Sequence, residues 1–158
     1  MNQNPNNEVI IKKIESYCAY QDRCHQEVTQ KLKSMLIDSS TLDEIIVHLI
    51  QNKFLNEERF ACSFARGKHR IKSWGNIRII NELKARNITQ TNIKTALKEI
   101  TTEEYFATFE NLSARVWENI TEKNELKKRK KFCDYLLRKG YESQLVYEKV
   151  KELEKSID

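Results

Sequence analysis

Three stretches of this sequence share one apolar spacing, and that repetition limits the fold more than any other feature. Val28, Leu32, Ile37, Leu42 and Ile46 follow one another at steps of four, five, five and four; so do Ile79, Leu83, Ile88, Ile93 and Leu97, and again Phe132, Leu136, Tyr141, Val146 and Val150. A step of four is about one helical turn, and a step of five fits a short corner or a rotated start of the next helix. Each set therefore reads as two short helices joined by a tight corner.

The corners carry their own chemistry. Asn87 and Gly140 stand at the same place in the second and third sets, and these residue types most readily adopt the left-handed conformation that ends a helix. Leu36 stands there in the first set, so a different corner is expected. Beyond the corners, Ser40 or Thr41, Thr89 or Thr91, and Ser143 are candidate N-caps. A further helix precedes each pair, marked by Ile10, Ile14, Tyr17 and Cys18, then by Phe60, Phe64 and Ala65, then by Phe106, Phe109 and Val116, with a longer and less regular lead through Trp117 to Glu125.

The expected fold is all-α: three tandem three-helix units in an elongated array that is free to curve. Residues 8–55 form the first unit, 56–101 the second and 102–158 the third, after a disordered tail over residues 1–7. A unit of roughly fifty residues buries too little apolar area to outweigh its own chain entropy, so neighbours must share hydrophobic surface. One Pro and three Gly in 158 residues leave few turn residues for a β alternative.

Several function classes drop away. No apolar run approaches the roughly 18 residues of a membrane span, and the Asn-rich start has neither the basic nor the apolar segment of a secretory signal; the expectation is a soluble, cytoplasmic protein. Cys18, Cys24, Cys62 and Cys133 include no pair at two-residue spacing, and His25, His48 and His69 are scattered, so reduced, mostly half-buried thiols are expected, with no metal and no cofactor. The sequence has no Gly-rich phosphate loop and no nucleophile elbow. Glu103 and Glu104, as helix neighbours, point in different directions and suit a solvated surface better than acid–base work. No catalytic residue is expected.

The positive signal lies in the charges. The net charge is +5, and its excess is concentrated in two stretches. Arg59, Arg66, Lys68, Arg70, Lys72, Arg78, Lys84 and Arg86 face a single acid, Glu82, with Trp74 in their midst. Lys127, Lys128, Arg129, Lys130 and Lys131 lead into the third apolar set. Such patches attract phosphate polyanions or an acidic protein groove. For 127–131 alone, a plain solvated helix face fits equally well. The imbalance in the central stretch exceeds what solubility requires. Trp74, beside Gly75, reads as a corner-packing residue and as a candidate aromatic contact.

The segments Phe54-Leu55-Asn56-Glu57-Glu58-Arg59-Phe60-Ala61 and Lys72-Ser73-Trp74-Gly75-Asn76-Ile77-Arg78, with Glu82-Leu83-Lys84-Ala85-Arg86-Asn87-Ile88, resemble the regulatory protein RecX family. The likeness runs from about Val9 through the Phe132 to Tyr141 piece. Asn87 departs from the family's usual Gly, and Asn56-Glu57-Glu58 from its commoner pair of Asp residues. Both changes are mild: Asn tolerates a left-handed corner, and Glu57 and Glu58 keep negative charge at a helix start, where it caps rather than catalyses. Phe60 reads as core. The resemblance implies a protein that binds the RecA recombinase filament on DNA. It would inhibit ATP hydrolysis, strand exchange and co-protease activity in recombination, DNA repair and the SOS response. The partners would be RecA and single- or double-stranded DNA, reached directly or through the filament, with a monomeric protein and no membrane. The competing reading is a stand-alone DNA-binding protein of helix-turn-helix type, with the Asn76 to Arg86 helix in the major groove. Only Arg78 and Asn81 would then offer base-reading side chains.

Overall fold

The computed structural model describes residues 5–156, and among them every regular element is a helix. In chain order these are α1 (Pro5–Tyr20), α2 (His25–Ser34), α3 (Ser39–Gln51), α4 (Glu57–Lys72), α5 (Asn76–Ala85), α6 (Gln90–Leu97), α7 (Thr102–Asn119), α8 (Glu125–Lys139) and α9 (Ser143–Lys155). They form three successive triplets, each a longer lead helix followed by the pair that the apolar spacing marks. The lead helix of the first triplet takes in residues 5–7, assigned on sequence grounds to a tail; residues 1–4 lie outside the described residues.

All three corners turn through a left-handed residue. Leu36 (φ 57°), Asn87 (φ 59°) and Gly140 (φ 99°) are all left-handed, so the expectation that the first corner differs is corrected. A branched side chain in that conformation costs about 1–2 kcal/mol. It is tolerated because Leu36 projects into solvent, 94% exposed, and meets no neighbour that would add to the strain. The helix starts shift in part. Asp38 rather than Ser40 or Thr41 caps α3, accepting from the Thr41 N–H (2.8 Å), and Thr89 caps α6 through the Asn92 N–H (3.2 Å). Glu142, not Ser143, is the N-cap of α9, and its carboxylate is used elsewhere.

Two hydrophobic cores result. The first triplet encloses Ile14, Cys18, Val28, Leu32, Leu42, Ile45, Leu49 and Leu55. The second and third triplets share one continuous core, running from Phe60, Ala65, Ile79 and Leu83 through Tyr105, Phe109 and Trp117 to Phe132, Leu136, Tyr141, Val146 and Val150. Each large side chain so buried contributes about 1.5–3 kcal/mol. The repeat is therefore one unit with its own core, joined to the rest through Cys24 and polar contacts, and one fused pair. On α7 the buried stripe is Tyr105, Phe109, Leu112 and Trp117, whereas Phe106 is 46% exposed. Tyr105 and Phe106 stand four and three residues before Phe109, so both spacings are helical. Tyr105 is the one turned inward, and there its hydroxyl meets polar partners, as a buried tyrosine requires.

Those partners lie at the joint of the fused pair. Tyr105 Oη accepts from the Asn76 N–H (3.1 Å) and donates to Glu142 (2.8 Å). The Gly75 N–H donates to the Lys139 carbonyl (2.7 Å), the Ile77 N–H to the Gly140 carbonyl (2.9 Å), and Tyr141 Oη to the Ser73 carbonyl (2.8 Å). The turn between α4 and α5 is thus bonded directly to the corner between α8 and α9.

Candidate interaction surface

The basic residues singled out by sequence fall into two groups that share Arg86 once their neighbours are known. One group is engaged with carboxylates. Arg59 pairs with Asp22 (2.7 Å), Arg66 with Glu99 (3.3 Å) and Arg70 with Glu104 (2.7 Å). Arg86 meets Glu82 (2.9 Å) and Glu27 (3.8 Å). Arg129 grips Glu154 with two guanidinium nitrogens, Lys130 pairs with Asp134 (2.6 Å) and Lys131 with Glu122 (3.5 Å). Most of the 127–131 stretch is therefore a mixed-charge helix face, and Lys128 lies over the Trp117 ring at 4.0 Å. Exposed surface pairs of this kind contribute little to stability.

The other group forms a continuous cation and aromatic ladder. Arg86 lies over the Phe64 ring (4.8 Å), and Phe64 meets Trp74 edge-on with ring centres 6.1 Å apart. Lys68 sits over both rings (5.5 and 5.0 Å), and Arg78 covers Trp74 at 4.1 Å while donating to the Arg138 carbonyl (3.3 Å). Position and register come from buried groups. His69, fully buried in α4, donates from Nδ1 to the Trp74 carbonyl (2.8 Å) and stacks on Tyr105. Ser73 takes a left-handed conformation (φ 58°) that turns the chain at the end of α4. Trp74 is accordingly both a corner-packing residue and the centre of the ladder.

Across the joint the ladder runs into like charges. Lys139 donates to the Lys72 carbonyl (2.9 Å). Its ammonium is pushed below the usual lysine range, first by burial and then by Arg78, Lys72 and Arg115. A cation held among cations is a ready site for phosphate. Lys72, Lys84 and Lys127 are exposed. The sequence reading missed Phe64 as a ladder ring and Arg115, Arg138 and Lys139 altogether. Arg138 and Lys139 precede the corner Gly140, a position that would have drawn notice had the joint been foreseen; Arg115 carries no sequence signal.

All four cysteines are free and buried, more deeply than expected. Among the described residues no group of three or more His, Cys, Asp or Glu side chains is placed to hold a metal ion, and no helix is long and apolar enough to cross a membrane. The helix-turn-helix reading loses ground here. The N-terminal end of α5, which would face base edges, is bonded to the α8–α9 corner, and Arg78 is committed to Trp74 and Arg138.

Residues 56–97, the span of α4 to α6 with its cap, match the family model for "RecX, second three-helix domain". The chain is thus similar to the RecX family, its second triplet matching that family's domain model. The regulatory protein RecX of Bacillus cytotoxicus is 24% identical over 143 residues, covering 90% of this chain and 53% of the relative. That of Oceanobacillus iheyensis is 23% identical over 142 residues, covering 90% and 52%. The chain thus spans about half the length of the curated relatives it matches. Two crystal structures share the fold: RecX from Lactobacillus salivarius, 24% identical with a TM-score of 0.77 over 94% of this chain and 96% of that one, and a further regulatory protein RecX, 22% identical with a TM-score of 0.80 over 92% and 73%. Within the family match lie Phe64, Lys68, Trp74 and Arg78, so the ladder is built on the second three-helix domain. The third triplet contributes the Lys139 end.

Proposed function

We propose that this chain is a regulator of the RecA recombinase filament on DNA, one that inhibits ATP hydrolysis, strand exchange and co-protease activity. It would act in the cytoplasm as a monomer, in recombination, DNA repair and the SOS response. The observation that carries this reading is the ladder of Arg86, Phe64, Lys68, Trp74 and Arg78 continued by Lys72, Lys139 and Arg115. A row of cations interleaved with rings suits a flexible phosphate chain or an acidic protein surface. Placed across a rigid joint, it presents a surface of fixed shape to a helical polymer. Several modest contacts along successive protomers then add up to a firm hold.

The test is ATP hydrolysis by the RecA of the same organism on single-stranded DNA, with this protein titrated in. Inhibition at micromolar protein is expected, together with weaker inhibition by a Lys72→Glu, Lys139→Glu variant of unchanged helicity. Undiminished hydrolysis would remove the proposal.

A further inference from the structure

One end of the ladder is covered from within. Arg86, the last rung of the ladder, and Arg59 of α4 both meet carboxylates from the α1–α2 junction, Arg86 sharing its guanidinium with Glu82 of α5 (2.9 Å). Asp22 takes Arg59 Nε at 2.7 Å and the Ser63 hydroxyl at 2.8 Å. Glu27 faces Arg86 at 3.8 Å. Below them Glu57 of α4 accepts from the His25 N–H (3.3 Å). Apart from Cys24, the buried residues of the first triplet belong to its own separate core. The contact is also imperfect, since Glu27 Oε2 is buried with no hydrogen-bond partner, which weakens the seat.

We propose that the α1–α2 junction is an intramolecular substitute for a phosphate chain, masking Arg86, the last rung of the ladder, together with Arg59, until single-stranded nucleic acid displaces it. This rests on the reading of the ladder as a polyanion surface. Asp22 and Glu27 present oxygens to guanidinium groups much as phosphates do, and a phosphodiester chain already seated on Lys68, Arg78 and Lys139 competes for them at high local concentration. Displacement breaks a polar contact and leaves the first triplet's own core whole, withdrawing only Cys24 from the core of the fused pair. The one core residue it uncovers is Cys24, which is fully buried against the second triplet.

Cys24 is therefore the reporter. The whole chain is pulsed with N-ethylmaleimide, with and without an oligodeoxythymidylate of about 16 nucleotides, and each cysteine is followed by mass spectrometry. Saturating oligonucleotide is expected to raise the Cys24 rate about tenfold while Cys18, Cys62 and Cys133, each inside one core, stay unchanged. The Asp22→Asn, Glu27→Gln variant is expected to label fast at Cys24 without oligonucleotide and to bind it about fivefold more tightly. Binding without a change at Cys24, and with no gain in the variant, would overturn the masking and leave the polyanion surface standing. If neither protein binds the oligonucleotide, the surface reading fails and the masking with it. Equal unmasking by polyglutamate would overturn nucleic acid as the occupant.

Discussion

Gly75 and Gly140, 65 positions apart, touch backbone to backbone: a Cβ placed on Gly75 would lie 2.4 Å from both the carbonyl carbon and the oxygen of Gly140. The reverse substitution meets Arg78 Cβ at 2.4 Å, and Gly140 is left-handed as well. Neither obstacle is the far end of a flexible side chain. Gly75→Ala is expected to lose about 2–3 kcal/mol by overpacking, and Gly140→Ala about 1–2 kcal/mol more from its φ. Urea unfolding followed by circular dichroism measures both, and a loss below about 1 kcal/mol would show that the joint yields.

Leu36 offers the opposite change. Its left-handed corner is strained and its side chain touches solvent. Leu36→Gly relieves about 1–2 kcal/mol of strain but loosens the unfolded chain. A net stabilisation of about 0.5–1 kcal/mol is expected in the same unfolding measurement.

How much of this was legible in the sequence follows from what each residue meets. The spacing that begins at Phe132 names five residues that are all buried, because a local period is enough to define which face of a helix pair turns inward. It could not show that two triplets share a core, since that depends on Gly75 meeting Gly140. Leu36 was misjudged because residue type is only a preference, and an exposed corner lets strain stand. Among the basic residues, composition located the region but could not separate Arg70, which is answered by Glu104 34 positions away, from Lys72, which is exposed. Ion pairing is a tertiary fact, and Lys139 joins the surface only through the fold.

That separation gives a third prediction. Charge removal at Lys72 or Lys139 is expected to weaken oligonucleotide binding and to reduce its salt slope by about 0.7 for each phosphate that is no longer neutralised. Arg70→Gln and Arg129→Gln, whose charges are already met by Glu104 and Glu154, are expected to change affinity less than about twofold. Titrations at several salt concentrations decide between equal and unequal effects.

The junction should also respond to acid. Burial alone would raise the Asp22 carboxyl, but hydrogen bonds from Ser63 and Arg59, with the charges of Arg59 and Arg66, outweigh it and hold the group below the ordinary 3.8. A depressed carboxylate stabilises the fold fully above its unfolded value and loses that contribution as pH falls through its folded one. Seating of the first triplet is therefore expected to hold from neutrality to about pH 5 and to weaken below about pH 4. Thermal melts between pH 6 and about pH 3 should fall more steeply for the native chain than for Asp22→Asn.

The last prediction turns on the choice between adjacent aromatics on α7. Tyr105 is buried, and its hydroxyl joins the Asn76 N–H to Glu142. Burial comes first in driving that phenol far above its usual range, with the carboxylate of Glu142 adding to it. Tyr105→Phe keeps the ring against His69 and Tyr141 but strands the Asn76 N–H and one Glu142 oxygen, at a cost of about 1–3 kcal/mol. Phe106→Ala removes a larger group from a half-exposed site and should cost less than about 1 kcal/mol. The conservative substitution is thus expected to be the more damaging one. Unfolding midpoints in the reverse order would mean that apolar area, and not the hydroxyl's position between two triplets, is what α7 supplies to the joint.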